Sequence, residues 1–298
     1  MEIALALGGG GAKGNAHLGA LRRLEKEGYQ IKSIAGTSFG GLVGILYASG
    51  WSPQAIQDKF ASLNQKSLFA RGAQDGPALL GLQNIRNLLS EMLGKKTFDD
   101  LRIPCAVTAV DLNNGTEVIL SEGKLVDAIL ATIALPGIFP LQKINNWELI
   151  DGGVLNPVPV SVARTLTPDL PIIAIVLNEP LNLPVRGYKI PLPSYVPRPL
   201  AERLARISLA QSLDVFLRSV DAGSRAVAYL RLQIDKPDVI VRPDVHHVDI
   251  LDEVDVADLA NRGEQALEEM LPEIKRVTSW VSRMKKKLFT KKPAGRLT

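Results

Sequence analysis

A three-layer α/β fold is the expectation for this chain of 298 residues, and three observations lead to it. Short apolar runs recur along the sequence, at residues 3–7, 33–35, 104–111 and 172–177. Between them lie stretches whose apolar residues return every three or four positions, as in Leu18, Leu21 and Leu24. Glycine-rich turns stand where strand would pass into helix, at residues 8–14 and 36–41. Strand patterns alternating with amphipathic helices describe a sheet covered by helices on both faces.

In order, residues 3–7 read as a central buried strand, and the glycine loop 8–14 opens a helix over 15–27 with Gly28 as its C-cap. Residues 33–35 form a short buried strand and 42–48 the helix behind it. Ser52 as N-cap and Pro53 at the first position start a helix running to about residue 63. Residues 66–82 are irregular, and a helix over 82–93 ends at Gly94. Strands at 104–111 and 116–121 are joined by Asn113-Asn114-Gly115, a hairpin turn signal. A short apolar helix over 125–133 stops before Pro136. A strand at 147–150 ends at Asp151-Gly152-Gly153, followed by a helix over 157–166 and a buried strand at 172–177.

Seven prolines between 171 and 199 exclude regular structure from 178–199, which is expected to wrap the surface or act as a lid. A long helical pattern follows, with Leu204, Ile207, Gln211, Phe216, Val220, Val227, Leu230 and Ile234 roughly on one side. Together with residues 180–199 it is a candidate cap with an apolar channel; the plainer reading buries its stripe on the core. Residues 239–241 form the last strand, and the apolar intervals of 258–288 describe a final helix.

Composition narrows the function classes. With 46% hydrophobic and 22% charged residues the chain is an ordinary globular one. Residues 283–298 hold seven Lys or Arg and no acid; without them 28 basic residues face 31 acidic ones, so the body is near −3. A nucleic-acid partner is therefore not expected. Trp280, Val281, Met284, Leu288 and Phe289 among those lysines fit a contact with an anionic membrane surface, or a tail that only solubilises. Cys105 is alone, so neither an intramolecular disulfide nor a cysteine zinc site is expected. No secretory leader and no membrane-spanning run is read. The expectation is a cytoplasmic protein, soluble or peripheral on the inner membrane face.

Chemistry enters at Gly36-Thr37-Ser38-Phe39-Gly40, a Gly-x-Ser-x-Gly turn between strand and helix. Such a turn lifts a serine hydroxyl off the sheet edge and aims a helix N-terminus at what it attacks. A serine acyl hydrolase is the working reading. Gly9-Gly10-Gly11-Ala12-Lys13-Gly14 has the spacing of a dinucleotide loop, but the next strand ends in Ala35-Gly36-Thr37-Ser38 without the carboxylate that would hold a ribose. It also fails as a phosphate loop, because Lys13 precedes Gly14. What stays open is an oxyanion hole of bare backbone amides, or a tight turn and nothing more. For the base, only His17, His246 and His247 are available among histidines. His246 or His247 would follow the last strand, so a Ser–Asp–His order is not excluded. Asp151 is the stronger candidate. It stands at a strand end before two glycines, and burial would raise its basicity.

In this order and spacing, the glycine loop, the Ser38 turn and Asp151-Gly152-Gly153 resemble the patatin-like phospholipase family. The segment from Ala131 to Pro140 is similar to the alanine- and proline-containing stretch that precedes the Asp block there. Residues 239–266 resemble the C-terminal part of compact bacterial members. The resemblance implies a three-layer α/β/α patatin-like fold with a central, mostly parallel sheet. Residues 1–179 would be the catalytic core, 180–282 would complete the same domain, and 283–298 would be a basic tail. It further implies a calcium-independent Ser–Asp dyad with Ser38 as nucleophile, Asp151 as proton acceptor and amides around Gly10 and Gly11 as oxyanion donors. No metal or cofactor is implied. The substrate would be a lipid or acyl ester. The rival readings are a Ser–Asp–His carboxylesterase or thioesterase, and a regulatory member of the fold without turnover. Oligomeric state is not legible.

Overall fold

Alternation within β1 (Glu2–Leu7) sets the two faces of the sheet. Ile3, Leu5 and Leu7 point to one side and Ala4 and Ala6 to the other, all fully buried. The computed structural model describes residues 1–71, 78–183 and 200–279. Among these, eight strands form one mixed sheet.

After β1 a short 3-10 helix (Gly11–Asn15) leads into α1 (Ala16–Lys26), then β2 (Gln30–Thr37) and α2 (Phe39–Ala48). Next come α3 (Pro53–Ala61), capped by the Ser52 hydroxyl on the Ala55 amide, the single turn α4 (Gln65–Leu68) and α5 (Gln83–Leu93). The hairpin β3 (Cys105–Asp111) and β4 (Thr116–Leu120) precedes α6 (Leu125–Thr132), β5 (Gln142–Ile144) and β6 (Trp147–Asp151). The chain then runs through α7 (Val160–Leu166), β7 (Ile172–Ile175), α8 (Leu200–Asp235), β8 (Val239–Val241) and α9 (Val256–Thr278).

Across the sheet the order is β5-β6-β3-β2-β1-β7-β8, with β4 on the other flank of β3. Strands β1, β2, β3, β7 and β8 run parallel, and β4, β5 and β6 oppose their neighbours. The expected three-layer architecture is present. On the large-residue face, α1, α2, α3, α5, α6 and α9 bury Leu21, Leu46, Ile56, Leu89, Ile129 and Leu267. Each such side chain contributes about 1.5–3 kcal/mol by leaving water. The alanine face is shallower, and Val160, Val162 and Ala163 of α7 lie on it with Leu232 of α8. The crossing of α1 and α9 is close enough that a Cβ at Gly263 would fall on the Ala16 carbonyl.

The structure departs from the sequence pattern in three places, the first being the single helical turn α4 at the start of the stretch 66–82 expected to be irregular. β5 was not read, since three residues with only Ile144 apolar carry no strand period; the Asn145-Asn146 turn after it was the available signal. In α8, over its described side chains, the apolar stripe is not the buried face. Phe216, Leu230 and Ile234 are 44%, 57% and 73% exposed, whereas Leu217, Arg225, Ala228 and Leu232 are buried. The inward face carries two charges, Asp221 and Arg225, and they mask its period. Residues 184–199 and 280–298, which hold most of the proline-rich segment and the whole basic tail, lie outside the described residues. No helix among the described residues is long and apolar enough to cross a membrane.

Candidate active site

The middle of β3 serves as a ruler that joins two distant segments. Its Thr108 pairs with Thr37, the last residue of β2, and its Ala109 pairs with Asp151, the last residue of β6. Because β4 occupies the opposite flank of β3, the parallel β2 and the antiparallel β6 meet end to end along one flank. Ser38 and Asp151, 113 residues apart, therefore face each other, and Ser38 Oγ donates to Asp151 Oδ2 at 2.6 Å.

Ser38 takes a backbone conformation that side chains avoid, with φ 54° and ψ −127°. It persists because its neighbours hold it. The Ser38 amide donates to Thr132 Oγ1 at 2.8 Å, and that hydroxyl in turn donates to the Thr108 carbonyl at 2.6 Å. The Ser38 carbonyl accepts from the Leu42 amide, the first turn of α2. Gly40 is required, since a Cβ there would fall on the Leu7 carbonyl where α2 crosses the end of β1. Gly36 and Phe39 flank the turn, and Thr37 shares a hydrogen bond with Thr108 and donates to the Asn156 carbonyl.

Asp151 is 3% exposed. Burial pushes its carboxyl up from 3.8 to about 6, while hydrogen bonds from Ser38 and from the Gly153 amide (2.7 Å to Oδ1) pull the other way. Gly152 packs directly on Thr108.

The glycine loop runs along the other side of Ser38. Its Gly9 amide donates to the Pro157 carbonyl and its Ala12 amide to the Ile250 carbonyl, both at 2.9 Å. Those two amides are spent; Gly10 and Gly11, which line the pocket, show no hydrogen-bond partner for theirs among the described residues. Lys13 turns away to Glu179, and Gly14 lies beneath the Phe39 ring. The pocket over Ser38 and Asp151 has a volume of about 210 Å³ and apolar walls that include Phe39, Phe60, Phe69, Leu89, Phe139 and Leu217.

None of the three histidines is placed beside Ser38 and Asp151. His17 is fully buried, and its Nε2–H donates to the Gly8 carbonyl at 2.8 Å. Desolvation lowers its pKa to about 4, so it stays neutral and props the glycine loop. His246 is half exposed and paired with Asp244, and neither it nor His247 lines the pocket. The sequence pattern singles out neither Thr132 nor Thr108; Thr108 emerges from the β2–β3 register and Thr132 from its bond to the Ser38 amide. No group of three or more metal-ligating side chains occurs among the described residues.

A family model described as patatin-like phospholipase matches residues 5–164, more than half of the chain. The chain belongs to the patatin-like phospholipase family. Within it, an NTE family protein of Mycobacterium bovis is 35% identical over 184 residues, which cover 59% of this chain and 49% of that one. A Candida albicans protein named lysophospholipase NTE1 is 31% identical over 165 residues, 53% of this chain and 12% of that one. The chain thus spans about half the length of the mycobacterial relatives it matches. The crystal structure of VipD from Legionella pneumophila superposes with a TM-score of 0.49 at 13% identity, over 91% of this chain and 66% of that one.

Proposed function

We propose that this patatin-like protein is a lipid acyl hydrolase that cleaves carboxylic esters through Ser38 and Asp151 alone. The observation that carries the proposal is the 2.6 Å hydrogen bond from Ser38 Oγ to a buried carboxylate at the floor of an apolar pocket. Ser38 Oγ attacks the ester carbonyl while its proton moves to Asp151 Oδ2. The free amides of Gly10 and Gly11 take the developing oxyanion. Asp151 then protonates the departing alcohol; next it draws a proton from a water whose oxygen attacks the acyl carbon, and it returns that proton to Ser38 Oγ as the acyl–oxygen bond breaks and the acid leaves. A carboxylate with a pKa raised to about 6 is a better base than an exposed one, and it is still ionised at neutral pH.

The ring of Phe and Leu side chains fits an acyl chain, and similarity to a protein named lysophospholipase supports a phospholipase A or lysophospholipase type of substrate. The dyad is favoured over a Ser–Asp–His triad because no histidine borders the pocket. The test is hydrolysis of p-nitrophenyl esters of rising chain length, and of lysophosphatidylcholine, by wild type and by the double variant His246→Ala/His247→Ala. Rates that climb with chain length and are unaltered in the double variant are expected. A large loss in the double variant would instead identify a triad esterase.

A further inference from the structure

Next to the Ser38–Asp151 pair, the pocket wall carries a buried ionic chain that the mechanism above does not use. Lys13 Nζ meets Glu179 Oε1 at 2.8 Å, and Glu179 Oε2 meets Arg225 Nη2 at 3.1 Å. The same Arg225 nitrogen lies 2.6 Å from Asp221 Oδ2, one helical turn earlier. The side chains of Lys13, Glu179 and Arg225 are only 10%, 7% and 6% exposed. Two cations and two carboxylates cancel, and each holds its place only while its partners do.

Three segments meet in this chain: the glycine loop through Lys13, the exit of β7 through Glu179, and α8 through Arg225. Hydrogen bonds from Gly9 to Pro157 and from Ala12 to Ile250 fix the ends of the loop, but the stretch between them, Gly10 and Gly11, has no such anchor among the described residues. Lys13 stands at the end of that stretch and ties it sideways. On the far side of the chain, α8 supplies Leu217, Val220 and Ser224 to the pocket wall.

We infer that Glu179 is a positioning residue: through Lys13 it couples the seating of α8 to the aim of the Gly10 and Gly11 amides. The inference rests on the hydrolase reading of the site. An acyl chain packed on α8 presses on the helix whose Arg225 grips Glu179, and Glu179 in turn holds the loop. Because those amides bind charge that exists only in the transition state, loosening them lowers kcat and leaves KM nearly unchanged.

The test is steady-state hydrolysis of p-nitrophenyl butyrate by the full chain and by Glu179→Gln, Lys13→Met, their double variant and Lys13→Arg. Each of the first two is expected to lose about tenfold or more in kcat with KM within about threefold, as for loss of aim in an oxyanion donor. The double variant falls no further than the worse single one, since both cut one link. Lys13→Arg keeps the cation and recovers most of the loss. Wild-type kcat in the two single variants, losses that multiply in the double variant, or Lys13→Arg as slow as Lys13→Met would each overturn the coupling. Should Glu179→Gln fail to fold, the contrast of Lys13→Met with Lys13→Arg decides alone. Hydrolysis by wild type that survives Ser38→Ala refutes the hydrolase reading itself; hydrolysis that needs Ser38 but ignores Glu179 refutes only the coupling.

Discussion

Ser38→Ala is expected to lower kcat for acyl ester hydrolysis by at least about 10⁴-fold, measured against wild type at neutral pH. Among the described residues the geometry favours this serine: it sits on a strained turn, at 2.6 Å from a buried carboxylate, under the pocket. The fold is expected to survive. The Thr132 hydroxyl bonds the backbone amide of residue 38, not its side chain, and the substitution leaves that bond in place. Removing the hydroxyl also takes from Asp151 one of the hydrogen bonds that hold its pKa down, so the carboxyl should titrate higher in the variant. Near-normal hydrolysis by a folded Ser38→Ala protein would remove the nucleophile from this account.

Asp151→Asn is expected to cost on the order of 10³-fold or more in kcat, since an amide accepts a hydrogen bond but takes no proton. In wild type, log kcat/KM should rise with pH up to about 6 and then level, following ionisation of Asp151. The same raised pKa has an opposite sign for stability. Above about pH 6 the folded protein holds an ionised carboxylate that burial disfavours, whereas below 3.8 the folded and unfolded states are both protonated. The penalty is therefore fully present above pH 6 and fades as pH falls towards 4; a shift from 3.8 to about 6 corresponds to about 3 kcal/mol. Asp151→Asn should accordingly be more stable than wild type at pH 8, by up to that amount, with the gain vanishing near pH 4. Chemical denaturation at the two pH values measures it. A variant less stable at pH 8 would mean that the carboxylate is not disfavoured by its site.

Local chemistry was the legible part of the sequence. Ile3-Ala4-Leu5-Ala6-Leu7 announces a central buried strand, and Ser52-Pro53 announces a helix start. The Gly-x-Ser-x-Gly turn and Asp151-Gly152-Gly153 named two residues that the structure brings within a hydrogen bond of each other. Their meeting was not legible from spacing, because it depends on which flank of β3 each strand takes, a property of the whole sheet. Thr132 was hidden for the same reason: a threonine at the end of a short helix looks like any other until the Ser38 amide is found against it. In α8 the obstacle was physical in another way. A face that turns Asp221 and Arg225 inward reads as solvated, since a charge inside a protein is tolerated only with partners, and Glu179, which completes the pairing of Arg225, lies far off in sequence. Among the glycine-loop amides, the sequence could not distinguish those spent on Pro157 and Ile250 from those left free.

The most direct test of the central claim, that a serine–aspartate pair forms an acyl-enzyme, is intact-protein and peptide mass spectrometry after incubation with an alkyl fluorophosphonate. One adduct is expected, on the peptide containing Ser38, lost in Ser38→Ala, much slower to form in Asp151→Asn, and unaffected in His246→Ala/His247→Ala. An adduct on another residue, or labelling of Ser38 at an undiminished rate in Asp151→Asn, would contradict that claim.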